Sequence, residues 1–124
     1  MQQSPEEIID AQVRAYERGD LEAFLDFYEP DCVCTELPAG RVLAAGHGQI
    51  ADVWGKVFAG GPRQVAIPSR IVEGRFVTDL EEVLVVRTGR RLRGVTIYHT
   101  GPRRIRAVWF LVAPGQLADA DEAY

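Results

Sequence analysis

Hydrophobic residues recur at helical spacing through the first half of the chain. Ser4-Pro5-Glu6-Glu7 predicts a helix start, because serine can cap the helix, proline fits its first turn and the second glutamate completes a capping box. Gly19 predicts the end of this helix. A second, short apolar stripe predicts a helix over residues 21–28. A third helix is predicted from near Gly48 to the stop at residues 60–62.

From Arg63 onward the sequence is rich in β-branched residues and arginine. Turn residues divide it into four predicted strands, at 64–72, 75–87, 90–100 and 104–113. The short spacers favour consecutive antiparallel hairpins. Two shorter strand candidates, 32–36 and 41–45, precede the third helix. The pattern predicts an α+β fold, with three N-terminal helices followed by a curved antiparallel sheet. We expect one domain over residues 1–124, of which 114–124 form a disordered tail.

Composition narrows the class of protein. Of the 124 residues 47% are hydrophobic and the net charge is −4, which excludes a disordered chain. The longest apolar run, residues 108–113, is far shorter than the roughly 20 residues of a membrane span. The first seven residues contain no basic residue and no apolar core, so we expect no signal peptide and a cytoplasmic protein without a membrane partner.

The few cysteines and histidines do not suggest a metal site. Cys32 and Cys34 are the only cysteines, and His47 and His99 lie far apart in the sequence. We expect buried thiols, no metal and no cofactor. Arginine clusters at 90–93 and 103–106 could attract phosphate. The acidic net charge and the alternation along strands instead favour outward-facing arginines and no nucleic-acid partner.

The order of these elements, together with several local phrases, resembles the nuclear-transport-factor-2-like (NTF2-like) superfamily. The closest likeness is to its SnoaL-like polyketide cyclase and ketosteroid-isomerase-related branch. The residues that carry the resemblance are 14–24, 27–31, 46–50, 71–77 and 104–111. It implies a cone-shaped fold with an internal pocket, and a homodimer. The superfamily contains isomerases, cyclases, epoxide hydrolases, dehydratases and non-enzymatic binders, so the fold alone does not determine function.

The resemblance makes Glu36 a candidate catalytic base. It falls where ketosteroid isomerases keep their catalytic aspartate, and an apolar cone would raise the pKa of its carboxyl. The alternative is a strand-end glutamate that points into water. The two oxyanion positions of the isomerases fall on Gln12 and Val95, and a valine side chain donates no hydrogen bond. Tyr16, one helical turn from Gln12, could substitute as the acid.

Two further groups of polar residues lie on the predicted strands. His99 shares a strand face with Val95 and Ile97, so it could act as acid or base if that face lines the cone. A histidine hydrogen-bonded near the turn at Gly101 is the alternative.

Asp79, Glu81 and Glu82 are unusual on a strand that is otherwise apolar, and the sequence does not say which of them points inward. Epoxide hydrolases of this fold carry an acid–base carboxylate on these strands, so Asp79 and Glu82 are candidate ligand-binding residues. A bulge, or salt bridges to Arg70 or Arg91, would explain the cluster structurally.

We interpret the large aromatic residues first as members of the hydrophobic core. Trp109 and Phe110 are adjacent on a strand and therefore face opposite ways. We predict a pocket whose convergent polar groups are Glu36 and His99. Its walls are formed by Tyr16, Tyr28, Trp54, Phe110, Val95 and Ile97.

Two functions remain open from the sequence. The first is a cofactor-free enzyme of the isomerase or cyclase type, which transfers a proton on an apolar carbonyl compound. Glu36 is then the base, and Tyr16 or His99 the acid. The second is a non-catalytic binder of a small hydrophobic ligand, or a dimeric accessory domain. The adjacent apolar residues on the strands of 63–113 predict a homodimer through the outer face of the sheet.

Overall fold

The computed structural model describes residues 2–111 and 118–119. Three helices lie in the first half of the chain: α1 (Pro5–Arg18), α2 (Leu21–Asp26) and α3 (Gly46–Ala59). Seven strands form one sheet: β1 (Tyr28–Glu36), β2 (Arg41–Ala45), β3 (Arg63–Glu73), β4 (Phe76–Val85), β5 (Arg90–Thr100), β6 (Ile105–Phe110) and β7 (Ala118–Asp119).

Local signals place the ends of α1 where the sequence predicts them. The Ser4 hydroxyl accepts a hydrogen bond from the Glu7 amide at 3.2 Å, and the Glu7 carboxylate accepts one from the Ser4 amide at 3.1 Å. Gly19 ends the helix with a φ of 66°, a left-handed conformation that glycine adopts without strain. One boundary differs from the prediction: α2 ends at Asp26, and Tyr28 begins β1 instead of closing the helix.

The sheet has the strand order β2-β1-β6-β5-β4-β3. Strands β3 to β6 form the predicted antiparallel meander. Strand β1 instead pairs parallel with β6, so the sheet is mixed. No local pattern indicated this pairing, because β1 and β6 are separated by most of the chain. The α+β fold, with helices packed on a curved sheet, is as predicted.

Helices cover one face of the sheet, which we call the inner face. Helix α1 contacts β3, β4 and β5, and α3 contacts β1 and β2. Along β5, buried residues alternate with half-buried ones, so Thr96 and Tyr98 belong to the inner face and Val95 and Ile97 to the opposite, outer face.

The end of the chain is only partly described. Of the tail predicted to be disordered, 114–124, only Ala118–Asp119 falls within the described residues, and it pairs with β5 at Leu92 and Arg93. Strand β6 pairs with β5 only from Thr96 onward, which leaves this stretch of the β5 edge open to β7. No helix among the described residues has the length and apolar character needed to cross a bilayer.

Candidate functional site

A narrow cavity lies between α1, α3 and the inner face of the sheet. Its volume is about 30 Å³. Its walls are mostly aromatic and aliphatic, with a few polar groups. The lining residues are Gln12, Val13, Tyr16, Tyr28, Trp54, Val65, Glu81, Val83, Thr96, Tyr98 and Phe110. An apolar cavity with a few convergent polar groups is typical of a small-molecule site.

Glu81 on β4 is the carboxylate of this cavity. The Thr96 hydroxyl donates a short hydrogen bond to its Oε1, and the Tyr98 hydroxyl donates a longer one, of 3.4 Å, to its Oε2. Burial, reinforced by the charge of Asp79, raises the pKa of Glu81 to about 7, although the two hydroxyls stabilise the charged form. Near neutral pH the Glu81 side chain can therefore both accept and release a proton.

Three tyrosine hydroxyls surround the same cavity. Burial raises the pKa of Tyr28 and Tyr98 well above their usual range, so both remain protonated. Tyr16 accepts a hydrogen bond from Nη1 of Arg63 at 2.9 Å. Burial also raises the pKa of Tyr16, while Arg63 lowers it, and the Glu81 carboxylate is near enough to raise it further. The Tyr16 hydroxyl therefore keeps its proton and can donate a hydrogen bond toward the cavity that it lines.

Asp79 lies on the same face as Glu81 but has a different role. It is fully buried and accepts hydrogen bonds from Nε and Nη2 of Arg70, at 2.7 and 3.0 Å. Nη1 of Arg70 also pairs with Asp10 of α1 at 2.9 Å. The alternative expected from sequence, a salt bridge to Arg70, is therefore present. Asp79 is not among the cavity-lining residues, and its contacts join the sheet to α1.

Glu36 does not lie where the resemblance implies. Its side chain forms a short salt bridge with Arg41 across the β1–β2 hairpin, and it is not among the residues that line the cavity. The physical reason is that β1 ends at Glu36, so the carboxylate lies at the end of the strand, beside an exposed arginine of β2.

His99 also lies outside the cavity, and with it Val95 and Ile97. These three residues share a face, as predicted, but it is the outer one. His99 stacks on Phe76 with ring centroids 4.4 Å apart. Glu82 also lies on the outer face. It follows Glu81 directly on β4, and neighbouring residues of a strand point to opposite sides.

Four of the predicted residues do come together: Tyr16, Tyr28, Trp54 and Phe110 all line the cavity. The inner position of Phe110 also agrees with the alternation that buries Val108 and leaves Trp109 half-buried on the outer face.

Sequence reasoning did not select four cavity-lining polar residues: Gln12, Glu81, Thr96 and Tyr98. For Glu81 a signal existed, since it belongs to the acidic cluster on β4. The sequence did not indicate which face of β4 points into the cavity. Among residues 2–111, no three His, Cys, Asp or Glu side chains converge as metal ligands would.

Comparison with solved structures identifies the same architecture in other proteins. An uncharacterized cystatin-fold protein from Novosphingobium aromaticivorans superposes with a TM-score of 0.76 at 20% identity, covering 88% of this chain and 98% of the other. An NTF2-like protein of unknown function from Burkholderia xenovorans LB400 has a TM-score of 0.72 at 18% identity, covering 97% and 87%. A protein from Shewanella putrefaciens CN-32, provisionally assigned as a SnoaL-like polyketide cyclase, has a TM-score of 0.72 at 16% identity, covering 86% and 78%.

Structural similarity at such low sequence identity establishes the fold but does not indicate the reaction. No curated protein matches the sequence. The profile of the SnoaL-like domain, in contrast, matches residues 9–109, which is most of the chain. This match shows that the protein belongs to the SnoaL-like domain family, and the arrangement of helices on a curved sheet agrees with it.

Proposed function

We propose that the protein is a cofactor-free enzyme of the isomerase or cyclase type, in which Glu81 transfers a proton on a small, largely apolar carbonyl compound. The observation that carries this proposal is a half-buried carboxylate, held by two hydroxyls, in a cavity walled by aromatic residues. Such an environment disfavours the charged carboxylate and makes it a better base than an exposed glutamate.

The proposed step begins with the substrate carbonyl near Tyr16 and its α-carbon near Glu81. The Glu81 carboxylate takes the α-proton, and the electron pair moves onto the carbonyl oxygen as an enolate. The Tyr16 hydroxyl, polarised by Arg63, donates a hydrogen bond to that oxygen. Return of the proton from Glu81 to the far carbon of a double bond conjugated with the enolate completes an isomerisation. In a cyclisation the enolate carbon attacks a second carbonyl, and the proton held by Glu81 passes to the alkoxide oxygen that forms. Both routes leave the residues unchanged.

The narrow cavity limits the substrate to a compact molecule. Because the cavity volume is only about 30 Å³, a ligand with one ring already requires lining side chains to move. Tyr16 is the half-buried aromatic residue among them, so we expect its side chain to move when a ligand binds. The same narrowness favours a second candidate function, in which the cavity holds a small hydrophobic ligand without turnover.

We test the proposal by α-proton exchange of cyclopentanone in deuterated buffer, followed by proton NMR. The wild-type protein should accelerate exchange, and Glu81→Gln should lower that acceleration by about 10² or more, because the amide keeps the shape and loses the base. The matched control is Glu82→Gln, which changes the adjacent carboxylate on the outer face and should leave exchange intact.

Two results would contradict the assignment of Glu81. One is exchange that survives Glu81→Gln, and the other is exchange that is lost in Glu36→Gln. Binding of the ketone without exchange would favour the non-catalytic function.

We also propose that a second copy of the chain covers the outer face of the sheet. The exposed side chains there include Ile71, which is 66% exposed, and Phe76, which is 44% exposed. The register aligns Ile71 with Thr78, Ile97 and Trp109 in one row across the sheet. An apolar row of this kind on an exposed face is typical of a protein–protein interface.

A further inference from the structure

One polar atom in the wall of the cavity has no partner among the described residues. Gln12 of α1 is only 4% exposed and lines the cavity. Its side-chain oxygen, Oε1, is buried and accepts no hydrogen bond. A buried acceptor without a partner is costly, and native proteins usually satisfy such atoms with a protein group, water or a ligand.

The other end of the same amide is already engaged. Its amide nitrogen faces Tyr28: Gln12 acts on the Tyr28 hydroxyl as a hydrogen-bond donor, which opposes the rise that burial causes in the pKa of Tyr28. This contact orients the amide, and it leaves the carbonyl oxygen as the group that needs a donor.

The neighbouring hydroxyls do not supply the missing donor. Thr96 and Tyr98 both donate to Glu81, and no hydroxyl of the described residues forms a hydrogen bond with Oε1 of Gln12. The remaining side chains of the cavity wall are aliphatic or aromatic. A ligand therefore meets an acceptor that lacks a donor, set in an apolar surface. A site built in this way discriminates strongly against analogues that cannot make the hydrogen bond.

We propose that the cavity selects compact apolar ligands that carry a hydroxyl donor, such as a phenol or an enol, and that this hydroxyl donates to Oε1 of Gln12. The inference rests on the proposed function, because it concerns the same cavity. It narrows the substrate class from an apolar carbonyl compound to a hydroxylated one, with the hydroxyl at Gln12 and the acidic carbon at Glu81.

The test compares two ligands of nearly the same shape, para-fluorophenol and para-fluoroanisole, by fluorine NMR titration. At about pH 6 the phenol is neutral, since the pKa of a phenol is near 10. The wild-type protein should bind the phenol about tenfold more tightly than the ether, which accepts but cannot donate. Gln12→Met, which keeps the length of the side chain and removes the acceptor, should reduce this preference to less than about twofold.

Two further measurements keep the test decisive. Affinity for fluoroanisole should be unchanged or higher in Gln12→Met, which shows that the variant is folded with its cavity intact. Gln12→Leu provides a second apolar variant with the same expected loss of preference. Glu81→Gln should retain the preference for the phenol, because the proposed acceptor is still present.

Several outcomes would overturn the inference. They are equal binding of both ligands by the wild type, tighter binding of the ether, a preference that survives in both Gln12 variants, and a preference that is lost in Glu81→Gln instead. Equal binding leaves the proposed function standing, since the cavity then still holds an apolar ligand. If neither ligand binds, the inference fails, and α-proton exchange of cyclopentanone decides separately whether the proposed function stands.

Discussion

Replacing Glu81 with glutamine should make the protein more stable at alkaline pH than the wild type. The folded protein keeps the proton of Glu81 up to about pH 7, whereas the unfolded chain releases it near 4.5. Because the folded-state pKa is the higher one, raising the pH from about 4.5 to about 7 favours the unfolded state of the wild type. Above that range this group causes no further change. Glutamine does not titrate, so the variant does not lose this part of its unfolding free energy as the pH rises.

The size of the effect follows from the two pKa values. A rise from 4.5 to about 7, at about 1.4 kcal/mol for each pH unit, corresponds to about 3 kcal/mol. Glu81 is partly accessible through the cavity that it lines, which reduces the penalty of its charge, so we expect about 2–3 kcal/mol. The Thr96 hydroxyl can still donate to the amide oxygen of glutamine, so this hydrogen bond survives in the variant.

The assay is urea unfolding followed by the fluorescence of Trp54, which is buried beside the cavity. Wild type and Glu81→Gln are compared at about pH 5 and about pH 8 and at one protein concentration, since association would also change stability. Other titrating groups cancel in the difference between the two proteins. Glu82→Gln should not reproduce the effect. If the difference in unfolding free energy changes by less than about 0.5 kcal/mol between the two pH values, Glu81 is not desolvated and the reasoning fails.

Three further predictions concern the buried ion pair, the subunit interface and the cavity. Arg70→Ala should destabilise the fold by about 3–5 kcal/mol in thermal or urea unfolding, because it leaves the buried Asp79 unpaired, whereas Arg41→Ala should cost less than about 1 kcal/mol because its ion pair is exposed. Equal losses in the two variants would contradict this. Sedimentation at micromolar concentration should give a dimer mass, and a monomer mass would refute the interface on the outer face. Titration with an apolar phenol should quench the fluorescence of Trp54, so Trp54→Phe should abolish the quenching and Trp109→Phe should preserve it; the reverse pattern would place the ligand on the outer face.

Short-range signals in the sequence were sufficient for the ends of the first helix and for the antiparallel strands, but not for the parallel pairing of β1 with β6. The capping box at Ser4 and the left-handed Gly19 act within a few residues, so the ends of α1 follow from local chemistry. The same holds for the antiparallel meander from β3 to β6, because short turns leave neighbouring strands little choice of partner. Family resemblance then supplied the cone, and with it the cavity lined by Tyr16, Trp54 and Phe110.

Only the tertiary structure decided which residues face that cavity. Alternation along a strand predicts that Glu81 and Glu82 point to opposite sides of the sheet, and that Val95 and Thr96 do so too. It does not predict which of the two sides is covered by the helices. The usual assumption that the more apolar face points inward fails for β5. There Val95 and Ile97 lie outside, while Thr96 is buried against Glu81.

The long-range contacts of the site were equally invisible in the sequence. Glu36 pairs with Arg41 at the end of a hairpin, and Arg70 neutralises Asp79 so that the carboxylate left in the cavity is Glu81. Each of these outcomes depends on where strands end and which side the helices cover. Those features are set by packing across the whole chain, whereas helix caps, turns and strand periods are set by neighbouring residues alone.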